Sequence, residues 1–390
     1  MNPFVRPGLD AAAREGNQMA DKPEPTATPT PPGQKDVRIF VKAPNWVGDA
    51  VMATPSLAFL RAAHPGARLT LMARPWVAPV FDHNPDIDHL WVMDDAQSPR
   101  ACLKAALRVR RAGFHMGLSF PGSFRAGLLM TLAGIPHRFG YSRPATRLLF
   151  NRPVTLSGEM SRLHQVYQYL ELLRPLCGAP PRQPRLKLRA GELEREEVRH
   201  LLRQKALDRG RPLIGIAPGA INSSAKCWPT DRFACLADRL NQDHDAEVLL
   251  LGSPPERDVV LRVKTACRRP VHDLTGEVSL GRLVALMEHL DGMFCNDSGA
   301  MHLAAAFHVP LVAVFGPTDH RVTYPFSPTA AVVRNDRVEC AGCMLRECHR
   351  PDHPCMRGVT VDQVLDAFKR MLAADRERKR GLNRKAHAVR

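Results

Sequence analysis

The sequence contains no apolar run approaching the roughly 18 to 20 residues that a membrane-spanning helix needs. Its first residues also lack the hydrophobic segment of a secretory signal, because Arg6, Asp10, Arg14 and Glu15 interrupt the apolar positions. Both absences predict a cytoplasmic protein. Ten cysteines among 390 residues are too few for a disulfide scaffold, and without a secretory signal most are expected to stay reduced. Aromatic residues make up only 6%, and no zinc-finger spacing or RNA-binding aromatic signature accompanies the basic residues. Nucleic acid is therefore the weakest of the partners that charge alone would allow. Neither a Walker A loop nor a GxGxxG fingerprint is present, so a P-loop or dinucleotide-binding assignment has no support.

What is there points elsewhere. A chain of 390 residues exceeds what one hydrophobic core usually serves, which predicts two domains, and 44% hydrophobic residues suits a globular protein. The formal net charge of +16 asks for an anionic partner, either a membrane face or a phosphorylated substrate. Residues 1–35 include a Pro/Thr-rich tract with too little apolar surface for a core, and we expect a disordered leader there. From Val37 onward short apolar runs alternate with helical patterns, which predicts parallel sheets flanked by helices. The Pro-rich stretch Cys177–Pro184 approaches a domain boundary, and the boundaries expected are 36–190 and 191–374. A basic tail, 375–390, follows a last helix expected to end at Ala374. Two such doubly wound domains, facing each other, would hold a ligand in the cleft between them.

Four loops carry the chemistry. The run from Leu290 to Cys295 reads as a buried strand, followed by Asn296, Asp297, Ser298 and Gly299 and then a helix containing His302. A strand that empties through such residues into a helix leaves backbone N–H groups and a positive dipole end facing the crevice. That is a place for a phosphate or diphosphate, and equally for an ordinary cap. Gly299 allows a ligand close to the backbone, and His302 is either ligand-facing or a packing residue. The loop Pro218–Pro229 offers small hydrogen-bonding residues and Lys226, whose ammonium suits a diphosphate unless it is simply solvated. Asp49 stands where the first strand meets the first helix, as a helix cap or as a general base at the sheet edge. Glu256, beyond the strand Val248–Leu251, is a ribose acceptor or a first-turn cap.

Trp46-Val-Gly-Asp49, Pro218-Gly-Ala with Lys226-Cys-Trp-Pro229, and Asn296-Asp-Ser-Gly-Ala-Met-His302 with Phe315-Gly-Pro-Thr318 occur in this order. Over residues 36–372 the chain closely resembles the ADP-heptose:lipopolysaccharide heptosyltransferase family, glycosyltransferase family 9. Ala43–Met52 and Gly134–Tyr141 look most like the heptosyltransferase II branch. The resemblance implies an α/β fold of the GT-B type, with two facing Rossmann-like doubly wound parallel-sheet domains and an interdomain cleft. The acceptor would sit on the N-terminal domain and the nucleotide-sugar on the C-terminal one. It implies an inverting transfer of heptose from ADP-heptose to the lipopolysaccharide inner core, with no cofactor required for catalysis. Asp49 would be the base, Lys226 would contact the donor phosphates and Glu256 the adenosine ribose. Asp297, Ser298, Gly299 and His302 would bind sugar and diphosphate.

The basic surplus then suits an acceptor in the inner face of the cytoplasmic membrane, with no nucleic acid. Arg125, Arg138, Arg143 and Arg147 become acceptor-side anion contacts or a solvated basic face. Cys340, Cys343, Cys348 and Cys355 have the composition of a structural zinc or iron site, or are free thiols. Two readings compete: a related transferase with another nucleotide-sugar or acceptor, and a basic nucleic-acid- or membrane-binding protein whose site has decayed. Retention of Asp49, Lys226, Glu256 and Asp297 together speaks against decay.

Overall fold

The computed structural model describes residues 37–93, 98–207 and 210–388, with side chains as far as residue 375. The expected disordered leader and the last two residues of the expected tail lie outside the described residues. The first lobe runs β1 (Arg38–Lys42), α1 (Val47–Ala63), β2 (Arg68–Ala73), β3 (His89–Val92), α2 (Pro99–Ala112) and β4 (Met116–Ser119). It continues with α3 (Phe124–Leu132), β5 (His137–Tyr141), β6 (Arg152–Val154), α4 (Gln165–Glu171) and α5 (Arg174–Cys177). The second lobe runs α6 (Glu192–Gln204), β7 (Leu213–Ala217), α7 (Thr230–His244), β8 (Glu247–Leu250), α8 (Arg257–Ala266), β9 (His272–Asp273) and α9 (Leu280–Leu286). After these come β10 (Gly292–Asn296), α10 (Gly299–Ala306), β11 (Leu311–Phe315), α11 (His320–Thr323), β12 (Ala330–Arg334), α12 (Pro354–Arg357) and α13 (Val361–Ala388). Among the described residues no helix is long and apolar enough to cross a membrane.

Each lobe is built on one six-stranded sheet, ordered β3-β2-β1-β4-β5-β6 and β12-β11-β10-β7-β8-β9, with every pairing parallel. Helices cover both faces, so central strands such as Leu213–Ala217, Gly292–Asn296 and Leu311–Phe315 are buried along their whole length. In each sheet the strand order reverses at the centre, between β1 and β4 and between β7 and β10. Loops leaving the carboxyl ends of strands on either side of such a reversal diverge and open a crevice. The loops after β1, β4, β7 and β10 are the ones that carry Asp49, Ser123, Lys226 and Asp297.

The lobes touch through α1 and α10, whose N-termini meet. A Cβ on Gly48 would lie 2.7 Å from His302 Cδ2, and one on Gly299 would lie 3.0 Å from Val47 Cβ. A second contact joins His164, just before α4, to Tyr324 and Phe326, with ring centroids 4.4 Å and 4.8 Å apart. Near the expected domain boundary the chain is still tied to the first lobe. The Lys187 ammonium pairs with Asp86 at 2.8 Å and its backbone N–H donates to Thr54 Oγ1 at 3.0 Å.

Some elements differ from expectation. The helix expected over 161–174 is broken into a 3₁₀ turn (Met160–Arg162), α4 and α5. Pro175, which has no N–H to donate and crowds the residue before it, accounts for the break before α5. The last helix runs past Ala374 to Ala388, because Asp375–Arg380 contains good helix formers and no proline. Strands β5, β6 and β12 and helix α3 were not anticipated; β6 and β12 are short, partly exposed edge strands.

Candidate active site

Asp49 occupies the first turn of α1. Trp46 stands at the N-cap in extended backbone and makes no side-chain capping bond, which leaves the helix end open to the cleft. The carboxyl group lines a cavity of about 490 Å³ at the carboxyl edge of the first sheet. Burial pushes its pKa up to about 6; the Lys226 ammonium offsets this in part and the Asp297 carboxylate adds to it. A group from the first lobe is thus in electrostatic contact with two groups of the second. A carboxylate poised at such a pKa accepts a proton near neutrality more readily than an exposed aspartate.

On the opposite side, Lys226 and Asp297 form an ion pair at 2.8 Å. The Asp297 side chain is only 7% exposed, so the lysine holds what would otherwise be a lone buried charge. The pair was not anticipated from the sequence, where the two residues were assigned to the ligand separately. Asn296, fully buried, ties the two loops together. Its amide nitrogen donates to the carbonyls of Pro218 (2.7 Å) and Gly219 (3.4 Å), while its oxygen accepts from the Trp228 N–H at 3.0 Å. Ser298 caps α10 in extended backbone, yet its hydroxyl makes no capping bond. Among the described residues Ser298 Oγ, Asn45 Oδ1, His302 Nδ1 and Thr318 Oγ1 are buried polar atoms without a hydrogen-bond partner. Buried polar groups are normally paired; Asn45 lines the same cavity as Asp49, and Ser298 follows Asp297, where a polar ligand would complete them.

The cavity on the first lobe is lined by Asn45, Trp46, Asp49, Ser123, Tyr141, Arg143, Gln168 and Tyr169 among others. Of the four expected arginines only Arg143 belongs to this lining. Arg125 is exposed on the first turn of α3, two residues beyond Ser123, and Arg147 is exposed after the turn Pro144–Thr146. Arg138 also lies outside this lining. It donates from Nε to the Leu149 carbonyl (2.8 Å) and from Nη1 to the Ile135 carbonyl (2.7 Å), which makes it a brace between β5 and its neighbours.

The sequence profile of glycosyltransferase family 9 (heptosyltransferase) matches residues 102–353. The chain belongs to that family. It is 32% identical over 315 residues to lipopolysaccharide heptosyltransferase 2 of Escherichia coli strain K12, covering 76% of this chain and 88% of that protein. It is 26% identical over 350 residues to lipooligosaccharide heptosyltransferase 2 of Haemophilus influenzae, covering 86% and 100%. The solved structure of E. coli ADP-heptose lps heptosyltransferase II superposes with a TM-score of 0.74 at 28% identity, over 87% of this chain and all of the other. The fold is GT-B, as expected.

In this family 9 chain Glu256 is the first-turn cap. Its Oε2 accepts from the Ser253 backbone N–H (2.9 Å) and hydroxyl (2.5 Å) in a capping box. Its Oε1 lies against Gly219, where a Cβ would come within 2.2 Å; the capping carboxylate therefore also borders the Lys226 loop. His302 is 3% exposed and packs on Gly48, with burial lowering its pKa to about 4, so it is neutral at pH 7. The structure places it at the lobe contact.

Cys340, Cys343, Cys348 and Cys355 lie in the segment between β12 and α13. Among the described residues no group of three or more His, Cys, Asp or Glu side chains is close enough to hold a metal. Cys355 is buried, and burial first, then the neighbouring Cys340, Cys348 and Cys343 thiols, raise its pKa to about 11; a Cβ on Gly316 would meet its Sγ at 3.0 Å. The segment braces the loops instead. The Arg346 carbonyl accepts from the Ala225 N–H (3.0 Å), His353 Nε2 bonds the Ala225 carbonyl (2.9 Å), and the Gly342 N–H donates to Gly316 (3.0 Å). Asn45, Tyr141, Gln168 and Thr318 were not singled out beforehand, although Asn45, Tyr141 and Thr318 lie inside the quoted motifs.

Proposed function

We infer that this family 9 enzyme transfers a heptose from ADP-heptose to the inner core of lipopolysaccharide, in the manner of heptosyltransferase II. The observation that carries the reading is Asp49 of one lobe facing Lys226 and Asp297 of the other across the cleft. The donor diphosphate lies between Lys226 and the N-terminus of α10, where unpaired N–H groups and the Ser298 hydroxyl receive it. Glu256 takes a ribose hydroxyl. The acceptor occupies the cavity of the first lobe, with Arg143 meeting its anionic groups. Residues 36–190 thus act as the acceptor domain and 191–374 as the donor domain.

Asp49 removes the proton of the attacking hydroxyl, the oxygen bonds to the anomeric carbon, and the bond to the diphosphate breaks. The electron pair leaves with ADP, whose charge Lys226 and the helix dipole stabilise. Base and leaving group lie on opposite sides of the sugar, so the anomeric centre inverts. No step calls for a cofactor. The net charge of +16 supports work at the anionic inner face of the cytoplasmic membrane, with the protein cytoplasmic and peripheral to it.

The test is turnover with ADP-heptose and an inner-core acceptor lacking its outer heptose, followed by mass and anomeric configuration of the product. Addition of one heptose with inversion is expected. No transfer from ADP-heptose, together with transfer from another nucleotide-sugar, would reassign the substrate.

A further inference from the structure

Helix α2 buries one stripe and leaves another unused. Cys102, Ala105, Ala106 and Val109, at helical spacing, face the first sheet. Leu103 and Leu107, one turn apart, stay 50% and 46% exposed. Together with Met93 and the stems of Arg100, Lys104, Arg108 and Arg111 they line a shallow hollow of about 480 Å³. The fourteen residues of α2 include five cations and no acidic residue. Among the described residues none of those cations has an ion-pair partner, and the Arg108 guanidinium is held over the Trp91 ring at 4.4 Å. Exposed leucines ringed by cations are what a soluble surface avoids and an anionic lipid surface rewards.

The placement is also informative. Since α2 follows β3 in a parallel sheet, its first turn, with Arg100 and Leu103, stands at the same carboxyl edge as the cavity of the first lobe. Its neighbour α3 carries an exposed Phe124 directly after Ser123, which lines that cavity.

We propose that α2 docks the enzyme on an anionic bilayer, with Leu103 and Leu107 entering the headgroup layer and Arg100, Lys104, Arg108 and Arg111 binding lipid phosphates. The proposal deepens the transfer reading, on which it rests for the reason to meet a membrane, by naming the surface that brings the cavity to a lipid-borne acceptor.

The experiment is sedimentation of the full chain with vesicles of phosphatidylglycerol and phosphatidylethanolamine, against phosphatidylcholine alone. The parent should bind the anionic vesicles only, and less so as salt rises. The double variant Leu103→Ser/Leu107→Ser should bind them at least about tenfold more weakly, and Lys104→Glu at least about fivefold more weakly. Both should keep parental turnover on a lipid-free core oligosaccharide and lose it on acceptor embedded in anionic vesicles. Parental vesicle binding by the double variant overturns the proposal. So does a change in self-association or nucleic-acid binding without a change in vesicle binding. If the parent shows no transfer from ADP-heptose while the variants still lose vesicle binding, the docking surface stands and the transfer reading falls.

Discussion

Asp49 carries opposite consequences for activity and for stability. Its folded-state pKa of about 6 lies above its ordinary value, so the folded protein binds a proton more tightly than the unfolded chain between about pH 3.8 and 6. Stability therefore falls as pH rises through that window, and at pH 7 the ionised carboxylate is a cost. Asp49→Asn should raise the melting temperature at pH 7, on the order of 2–4 °C, with the difference gone below about pH 4. The same change should lower kcat by roughly 10²–10⁴ while leaving ADP affinity nearly unchanged. In the parent, kcat should climb as pH passes 6 and then level off. A pH-rate profile together with melting scans checks both halves. Lys226→Ala leaves Asp297 buried and alone; with the lysine partly exposed, we expect a loss of about 1–3 kcal/mol. Adding Asp297→Asn should return the melting temperature but not ADP affinity, measured by calorimetry. Recovery of both would make the lysine purely structural.

Among the elements, the β10–α10 junction is held by the fully buried side chain of Asn296. Asn296→Ala removes one acceptor and two donor contacts at a site without solvent, and strands the Trp228 N–H and the Pro218 carbonyl. About 2–4 kcal/mol of stability should go, and ADP affinity should fall at least about tenfold, because the Lys226 loop and the Asp297 loop lose their common tie. Denaturant melts and ADP titration read the two effects. Much of this level was legible beforehand. The strands β1, β7, β8, β10 and β11 carry short apolar runs, β2 is broken only by Thr70, and the turn residues after β7 and β10 put Lys226 and Asp297 at one sheet edge. What escaped has a physical reason. A helix cap and a general base both call for an aspartate at the start of α1, and only the neighbours across the cleft separate them. Arg138 is spent on carbonyls that come near only when β5 and the stretch after it pack together, which spacing along the chain does not encode. The two edge strands β6 and β12 are partly exposed, and three residues such as Arg152–Val154 carry no periodicity to read.

At the scale of the whole molecule, two buried histidines sit at the contacts between lobes. His164 Nδ1 accepts from the Val166 N–H (3.2 Å) and Nε2 bonds the Tyr324 carbonyl (2.8 Å), an arrangement of the neutral ring. Burial lowers the pKa of His164 and of His302 to about 4. The unfolded chain then binds the extra protons below about pH 6.5. Stability is complete above that value and is lost as pH falls, by about 2 kcal/mol for each histidine between pH 6.5 and 5. His164→Gln should flatten that acid limb in melting scans; an unchanged pH dependence would show that the lobe contact does not respond to this proton.

The meeting of α1 and α10 has one more implication. Two positive helix ends are pressed together there, with His302 packed on Gly48 and Val47 packed on Gly299. A negatively charged nucleotide arriving at that point relieves their mutual repulsion, so it also acts as a cement for the two halves. By reciprocity, whatever loosens the halves must weaken the nucleotide's hold, and the departure of ADP and the parting of the lobes become one event seen from two sides.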